Sequence, residues 1–359
     1  MLKINHFIKL CIAVFMILAI VYVGTLVDFV FKPILSLVTN ITIPLMLSVF
    51  FYYLLLPLVN WMEKKKINRA IAILLIYLFI AILLIGFFIV IWPTFRTQML
   101  NLFNNAPNLL NALNEQLKEI EESGFLSDFF PADVSPLTQI TNYVNKGFMI
   151  LTNYITSLFS VISNVAIVLF IFPVILFYML KESGGFSKKL VKFTPKRFHE
   201  EATEVVTDIN QSLSNFIVSR VLINLALGVL MYIGFLIIDL PYALLLTAVA
   251  VIMNFIPFIG AILSAIPIII IGFIESPSTA IWSLVIILVA QQIQDNLIAP
   301  YILGKQLDIH PITTIIIVLI GGDLAGILGM LLIIPVYMTI KIIVIKVYEL
   351  FIKQKWENA

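Results

Sequence analysis

Residues 70–92 read AIAILLIYLFIAILLIGFFIVIW, a stretch without a single charged side chain. An α-helix rises about 1.5 Å per residue, so this stretch is about 35 Å long as a helix. The hydrocarbon core of a bilayer is about 30 Å thick, and a helix that crosses it needs roughly 20 apolar residues. The stretch therefore predicts a transmembrane helix.

Similar apolar runs recur along the whole chain of 359 residues, which is 61% hydrophobic and 12% charged. Soluble domains average about 45–50% apolar and about 25% charged residues. The predicted spans are 7–27, 34–59, 70–92, 161–180, 213–238, 242–274, 278–298 and 311–340. This pattern predicts an all-α polytopic membrane protein with about eight transmembrane helices. The run 242–274 fits either one crossing or a re-entrant hairpin, and both readings stay open.

The basic residues are divided unevenly between the alternate connections of these spans. Sixteen lie at the N-terminus, near 64–69, in 181–197 and after 340, whereas the opposite connections carry five. Lysine and arginine are enriched in cytoplasmic loops. We therefore expect both termini in the cytoplasm. The first span is longer than the core of a signal peptide and lacks a small-residue cleavage site, so we expect it to be retained.

Composition also argues against several classes of function. The net charge of +2 gives no sign of nucleic-acid binding. A single cysteine, Cys11, excludes a disulfide framework. The histidines His6, His199 and His310 are scattered, and neither an HExxH motif nor a phosphate-binding loop occurs. The sequence thus predicts neither an enzyme nor a cofactor or metal.

Residues 93–160 are more polar and fall on the outer side. Apolar residues recur at helical spacing in 109–120, which predicts an amphipathic helix ending near 123–124. A second stripe begins at 137 and continues into the span at 161–180, which predicts one long helix. Such a stripe indicates an extracytoplasmic helical arm and a homo-oligomer formed through it; an interfacial helix lying on the lipid headgroups is the alternative.

These features divide the chain into six predicted segments. They are the first three spans (1–92), the outer arm (93–160), the fourth span (161–180), a basic cytoplasmic loop and helix (181–212), a transport core with spans five to eight (213–345) and a cytoplasmic tail (346–359).

Polar residues inside the predicted spans are the candidate functional residues, because an ionised side chain at a helix centre costs roughly 2.5–3.5 kcal/mol on insertion scales. The candidates for binding a substrate or ion are Asn254, Pro257, Gly260, Gln291, Gln294, Asp295, Asn296 and Pro300. The candidates for a charge pair or a supporting role are Arg220, Asn224 and Asp323. Amides also act as interhelical hydrogen-bonding groups in membranes, so a purely structural role is the alternative for each glutamine and asparagine.

Two of these segments share the order Asn, Pro, Gly: residues 254–260 and residues 296–304. Proline removes a backbone donor and glycine permits a tight bend, so both segments predict broken or re-entrant helices. Paired interruptions of this kind point to the binding site of a transporter, although ordinary kinks have the same signature. Arg220 lies deep enough in its span to pair with Asp295 or Asp323, and we expect one such pair.

Several motifs resemble the autoinducer-2 exporter family of bacterial membrane proteins. They are Pro173 to Lys181, Asn254 to Gly260, Gln291 to Pro300 with Gly304, and His310-Pro311 followed by Gly321-Gly322 and 326–329. The resemblance covers most of the chain. It implies an oligomeric, multi-pass transporter of the bacterial plasma membrane, with some members linked to export of the quorum-sensing signal autoinducer-2 and others to antiport of sodium or lithium against protons.

Three hypotheses follow from the sequence. The first is a secondary transporter or exporter of a small polar solute such as autoinducer-2, in which Asp295 carries a proton or cation. The second is a sodium(lithium)/proton antiporter. The third is an oligomeric membrane scaffold that transports nothing, which needs no polar cavity at mid-membrane.

Overall fold

The computed structural model describes residues 28–122, 162–182, 191–303 and 309–350, together with a few single residues between 8 and 22 and at 146 and 185. These residues form helices and short connections, and no strand occurs among them. The predicted all-α architecture is confirmed. The second amphipathic stripe, residues 351–359 of the predicted tail and Gly304 lie outside the described residues.

The described helices are given in chain order. They are α1 (Asp28–Lys64), α2 (Arg69–Val90), α3 (Trp92–Glu122), α4 (Ile162–Lys181), α5 (His199–Ile237), α6 (Ala243–Met253), α7 (Ile259–Glu275), α8 (Pro277–Ile293), a π-helix (Gln294–Ile298), α9 (Ala299–Leu303) and α10 (Pro311–Tyr348). Within the described residues, five segments are long and apolar enough to cross a membrane: Ile41–Lys64, Arg69–Val90, Lys196–Ile237, Pro277–Ile302 and Gly329–Tyr348.

Polar contacts join α1, α4 and α5 inside an otherwise apolar bundle. The hydroxyl of the fully buried Ser48 donates to the carbonyl of Phe172 at 3.1 Å. The Tyr53 hydroxyl donates to Asn210 Oδ1 at 3.0 Å, and the Ser214 hydroxyl donates to the Tyr53 carbonyl. Unsatisfied polar groups are costly in a bilayer, so these pairs fix the register of the three helices.

The predicted span at 242–274 is a re-entrant hairpin, formed by α6, residues 254–258 and α7. Helix α8 runs antiparallel to α5. Gly234 of α5 faces Ile286 of α8, whereas the earlier Asn224 of α5 and the later Gln294 both hydrogen-bond Asn254 and so lie at one level. Helix α6 leaves the C-terminal end of α5 and stops at the level of Asn224, about 20 Å from that end at 1.5 Å per residue. Helix α7 then returns to the start of α8. Eleven residues in α6 make a helix of about 16 Å, which is too short to cross.

Helix α10 reverses direction near its middle, which differs from the single span predicted at 311–340. A Cβ atom on Gly321 would lie 2.7 Å from the carbonyl oxygen of Gly329, although residues eight positions apart in a straight helix are separated by about 12 Å. Gly326 has a φ of +59°, a left-handed value that glycine adopts without strain. The two apolar limbs are Pro311–Leu324 and Gly329–Tyr348. The sequence pattern concealed the reversal because both limbs are equally apolar.

Helix α3 is the predicted amphipathic helix of the outer region, and it ends at Glu122. It packs on α6 and α7 of its own chain, where Leu102 and Leu109 contact the buried cluster of the hairpin. This half of the predicted arm therefore lies against the hairpin of its own chain.

Candidate functional site

Three elements bring polar side chains together inside the helical bundle. Asn224 lies near the middle of the predicted span of α5, Asn254 follows the last residue of α6 at the tip of the hairpin, and Gln294 opens the π-helix after α8. We call these three residues the amide cluster. Its members are separated by 30 and 40 positions in sequence, so the cluster exists only in the folded chain.

Asn254 is the centre of the cluster. Its Nδ2 donates to Asn224 Oδ1 at 3.0 Å and to Gln294 Oε1 at 2.9 Å. Gln294 in turn donates from Nε2 to Oδ1 of Asp295 at 3.1 Å. A chain of hydrogen bonds thus runs from α5 through the hairpin tip to a carboxylate.

The amide cluster is buried, whereas the carboxylate at its end is exposed. The side chains of Asn224, Asn254 and Gln294 are 0%, 5% and 4% exposed. The side chain of Asp295 is exposed. Asn224 Nδ2 has no protein partner among the described residues. A buried donor left unpaired costs about 1–3 kcal/mol. The site therefore retains the capacity to donate one more hydrogen bond.

Backbone geometry holds Asn254 at the tip. Helix α6 ends where Pro257 lacks an N–H for the next helical turn. Phe258 has a φ of +64°, and the N–H of Gly260 bonds the carbonyl of Ile256 at 2.9 Å. A Cβ on Gly260 would collide with the carbonyl of Met253. The tip requires glycine there, as expected from the Asn, Pro, Gly order.

The second predicted interruption is a π-helical turn that begins at Gln294, two residues before the predicted segment at 296–304. The N–H of Ala299 bonds the carbonyl of Gln294, five residues earlier. Pro300 cannot continue the i→i−4 pattern, and π-turns are a common solution to such a conflict and are frequent at functional sites. The wider turn leaves Gln294 buried and Asp295 exposed.

Arg220 lies one helical turn before Asn224 on α5, and its side chain is half-buried. No direct ion pair joins Arg220 to Asp295 among the residues that the structure describes. The Arg220 guanidinium lies 5.9 Å from the ring centroid of Phe216. No direct pair with Asp323 occurs among the described residues either, so the expected charge pair stays a prediction.

The remaining candidates lie beside the amide cluster or apart from it. Gln291 is half-buried on the preceding turn, and Pro257 and Gly260 are buried in the tip. Asn296 donates to Gln292 Oε1 at 2.6 Å in an exposed pair within one helix. Pro300 and Asp323 are exposed, and Asp323 makes no hydrogen bond to the cluster among the described contacts.

Sequence reasoning underestimated Asn224, which was expected only in a supporting role and contacts Asn254 directly. The sequence contained a signal for this role, because Asn224, like Asn254, is an amide within an apolar run. Two further buried hydroxyls, Thr247 Oγ1 and Ser283 Oγ, lack protein partners among the described residues and were not anticipated.

A cleft of about 470 Å³ lies elsewhere, between the first part of α5 and the end of α10. Its polar lining includes Glu204, Asp208, Lys346 and Glu349, and Lys346 donates to Glu204. No group of three or more histidine, cysteine or carboxylate ligands for a metal occurs among the residues that the structure describes. Amide groups, one carboxylate and one guanidinium make the central site suited to hydrogen bonding and proton exchange.

Comparison with known proteins gives a consistent result. The chain matches the family described as "AI-2E family transporter" over residues 10–349. It is 32% identical over 338 residues to "Putative transport protein YueF" of Bacillus subtilis, covering 93% of this chain and 91% of that protein. It is 28% identical to "Putative transport protein YrrI" of the same organism, covering 92% and 93%. A "Putative transport protein" of Thermotoga maritima is 24% identical, covering 95% and 96%.

Proposed function

The chain belongs to the AI-2E transporter family, and from that membership we propose that it is a secondary exporter of a small polar solute such as autoinducer-2. The binding site is built from residues 254–260 and 291–304, with Asn254, Gln294 and Asp295 as its centre. Pro257, Gly260 and Pro300 shape the backbone of the site, and Gln291 and Asn296 flank it.

The observation that carries this proposal is the amide cluster at the meeting point of a re-entrant tip and a π-turn. Interrupted helices at mid-membrane are where transporters bind their substrates, because backbone and side-chain dipoles become available there. Amides both donate and accept hydrogen bonds, so a polar solute can replace an amide partner without leaving a buried group unpaired. The unpartnered Nδ2 of Asn224 offers the first such bond.

Asp295 is the proposed carrier of a proton or cation. It accepts a hydrogen bond from Gln294, and Arg220 attracts it from the neighbouring helix. Protonation removes the charge and with it the attraction to Arg220. Binding of a proton at Asp295 thereby changes the hydrogen bonding of the amide cluster, which couples the proton to the solute.

Efflux from proteoliposomes tests the proposal. Purified protein is reconstituted in vesicles loaded with autoinducer-2, and release is followed with and without a pH gradient. Asp295→Asn should lower the gradient-driven rate at least tenfold. The matched control is Asp239→Asn, an exposed carboxylate in the turn after α5 with a φ of 51°, a value that asparagine also tolerates. Equal rates for the two variants would remove Asp295 from the mechanism.

A sodium(lithium)/proton antiporter is the alternative within transport, since one carboxylate near a guanidinium can exchange a cation for a proton. The same vesicles without solute, containing a pH-sensitive dye, distinguish it. Sodium-dependent proton flux that is lost in Asp295→Asn would establish the antiporter and displace the exporter.

A membrane scaffold is the alternative from another class, and it needs no water-filled path. Single cysteines at positions 291, 295 and 296, in a Cys11→Ala background, are exposed to a membrane-impermeant thiol reagent from each side. Labelling supports a transport path, whereas protection of all three positions from both sides favours the scaffold.

We place the protein in the bacterial cytoplasmic membrane with both termini inside, which the distribution of basic residues supports. We also propose a homo-oligomer that forms through the outer arm. Native mass spectrometry of the full chain and of a variant lacking residues 125–158 tests this; a monomeric full-length protein would contradict it.

A further inference from the structure

We propose that α3 is a strap whose Gln98 and Gln116 cap the two outer ends of the re-entrant hairpin and thereby position Asn254 in the amide cluster. The inference rests on the proposed function for its consequence in transport, but the capping itself is a property of the fold. Neither glutamine was among the candidates from the sequence.

Gln98 caps the start of α6. Its Oε1 accepts the backbone N–H of Leu245 at 3.0 Å. Leu245 lies in the first turn of α6, where backbone N–H groups have no partner within the helix. Tyr242, at the N-cap position, has a φ of 59° and makes no side-chain capping bond. A residue almost 150 positions earlier in the chain thus supplies the missing cap.

Gln116 caps the end of α7. Its Nε2 donates to the backbone carbonyl of Ile274 at 2.9 Å. Ile274 is in the last turn of α7, where carbonyl groups have no partner within the helix. The hairpin is therefore held at both of its outer ends by one helix.

The apolar face of α3 fixes the spacing of the two caps. Met99 is 6% and Leu113 3% exposed, and Leu102 and Leu109 pack against the hydrophobic cluster of α5 to α8. Gln98 and Gln116 are 18 residues apart on one helix, which corresponds to about 27 Å along its axis. The stretch of α3 between the two glutamines, which includes Pro107, therefore links the two outer ends of the hairpin.

The two caps have opposite polarity. At the N-terminal end of α6 the strap accepts a hydrogen bond, and at the C-terminal end of α7 it donates one. A helix carries partial positive charge at its N-terminus and partial negative charge at its C-terminus. An acidic residue at 98 and a basic residue at 116 therefore preserve the caps, and the reversed charges abolish them.

Two double variants test this polarity in the full-length protein. Gln98→Glu/Gln116→Lys retains an acceptor and a donor at the correct ends, while Gln98→Lys/Gln116→Glu has the same net charge and neither cap. The control is Asn101→Lys/Asn104→Glu, on the exposed face of the same helix. Hydrogen exchange of peptides covering 243–253 and 259–275 is measured in detergent, together with autoinducer-2 efflux from vesicles.

We expect wild-type exchange and efflux for Gln98→Glu/Gln116→Lys and for the control. In Gln98→Lys/Gln116→Glu, the backbone amides of both helices should exchange about fivefold faster, which is the factor expected when a typical helix cap is lost. This variant should also lose autoinducer-2 efflux. Equal exchange in the two Gln98/Gln116 variants would overturn the strap. If the wild-type protein exports no autoinducer-2, the proposed function fails, and the exchange experiment still decides on the strap.

Discussion

Replacing Asn254 with leucine, which has nearly the same shape, removes the centre of the amide cluster. Two hydrogen bonds are lost, and the acceptor oxygens of Asn224 and Gln294 stay buried without a donor. Side-chain hydrogen bonds between membrane helices average about 0.6 kcal/mol and reach about 1.7 kcal/mol. Each unpaired acceptor adds a cost of its own. We expect a destabilisation of about 2–4 kcal/mol, which lowers Tm by about 4–8 °C at about 2 °C per kcal/mol.

Thermal unfolding of the purified protein in detergent, followed by tryptophan fluorescence, measures this change. The control is Asn296→Leu, which disrupts only the exposed pair with Gln292 and should shift Tm by about 1 °C or less. A triple variant, Asn224→Leu/Asn254→Leu/Gln294→Met, leaves no unpaired amide and should recover most of the lost stability while transport stays absent. The reasoning is refuted if Asn254→Leu unfolds at the wild-type temperature, or if the triple variant is less stable than the single one.

Three further substitutions test the backbone reversals and the packing. Gly260→Ala should lower Tm by about 5 °C or more and abolish transport, because the new Cβ collides with a backbone carbonyl. The control is Gly86→Ala, whose new Cβ would have no atom within 4 Å and should leave Tm unchanged or slightly raised. Gly321→Ala should lower Tm by several degrees if α10 folds back, since its Cβ would lie 2.7 Å from a carbonyl oxygen of the other limb; no loss of stability would indicate a straight helix. Ser283→Ala removes a buried hydroxyl without a protein partner and should be neutral or stabilise the protein by about 1 kcal/mol; a fall in Tm would show that the hydroxyl is bonded.

Local patterns in the sequence predicted much of the fold. The run at 70–92 corresponds to α2, which begins at Arg69 and ends at Val90. The amphipathic pattern near 109–120 lies within α3, and the Asn, Pro, Gly order marks the tip at 254–260. Each of these features depends on residues close together in the chain, so periodicity and backbone restrictions suffice to find it.

Features that join distant parts of the chain were not accessible in this way. The amide cluster depends on how α5, the hairpin and α8 pack, and no local pattern selects Asn224 over Asn296 as a partner of Asn254. The reversal at Gly326 escaped detection because hydropathy is the same for a straight span and for two apolar limbs. The π-turn at Gln294 follows from Pro300, but its start could not be located from the proline alone.

The shortness of α6 has a consequence for biosynthesis. Eleven residues cannot cross a bilayer, so the insertion machinery cannot release α6 into lipid as an independent span. Before α8 is inserted, Asn254 has Asn224 of α5 as a hydrogen-bond partner but not Gln294. Since Gln294 directly follows α8, we expect the hairpin to reach its final hydrogen bonding only after α8 has been inserted beside it.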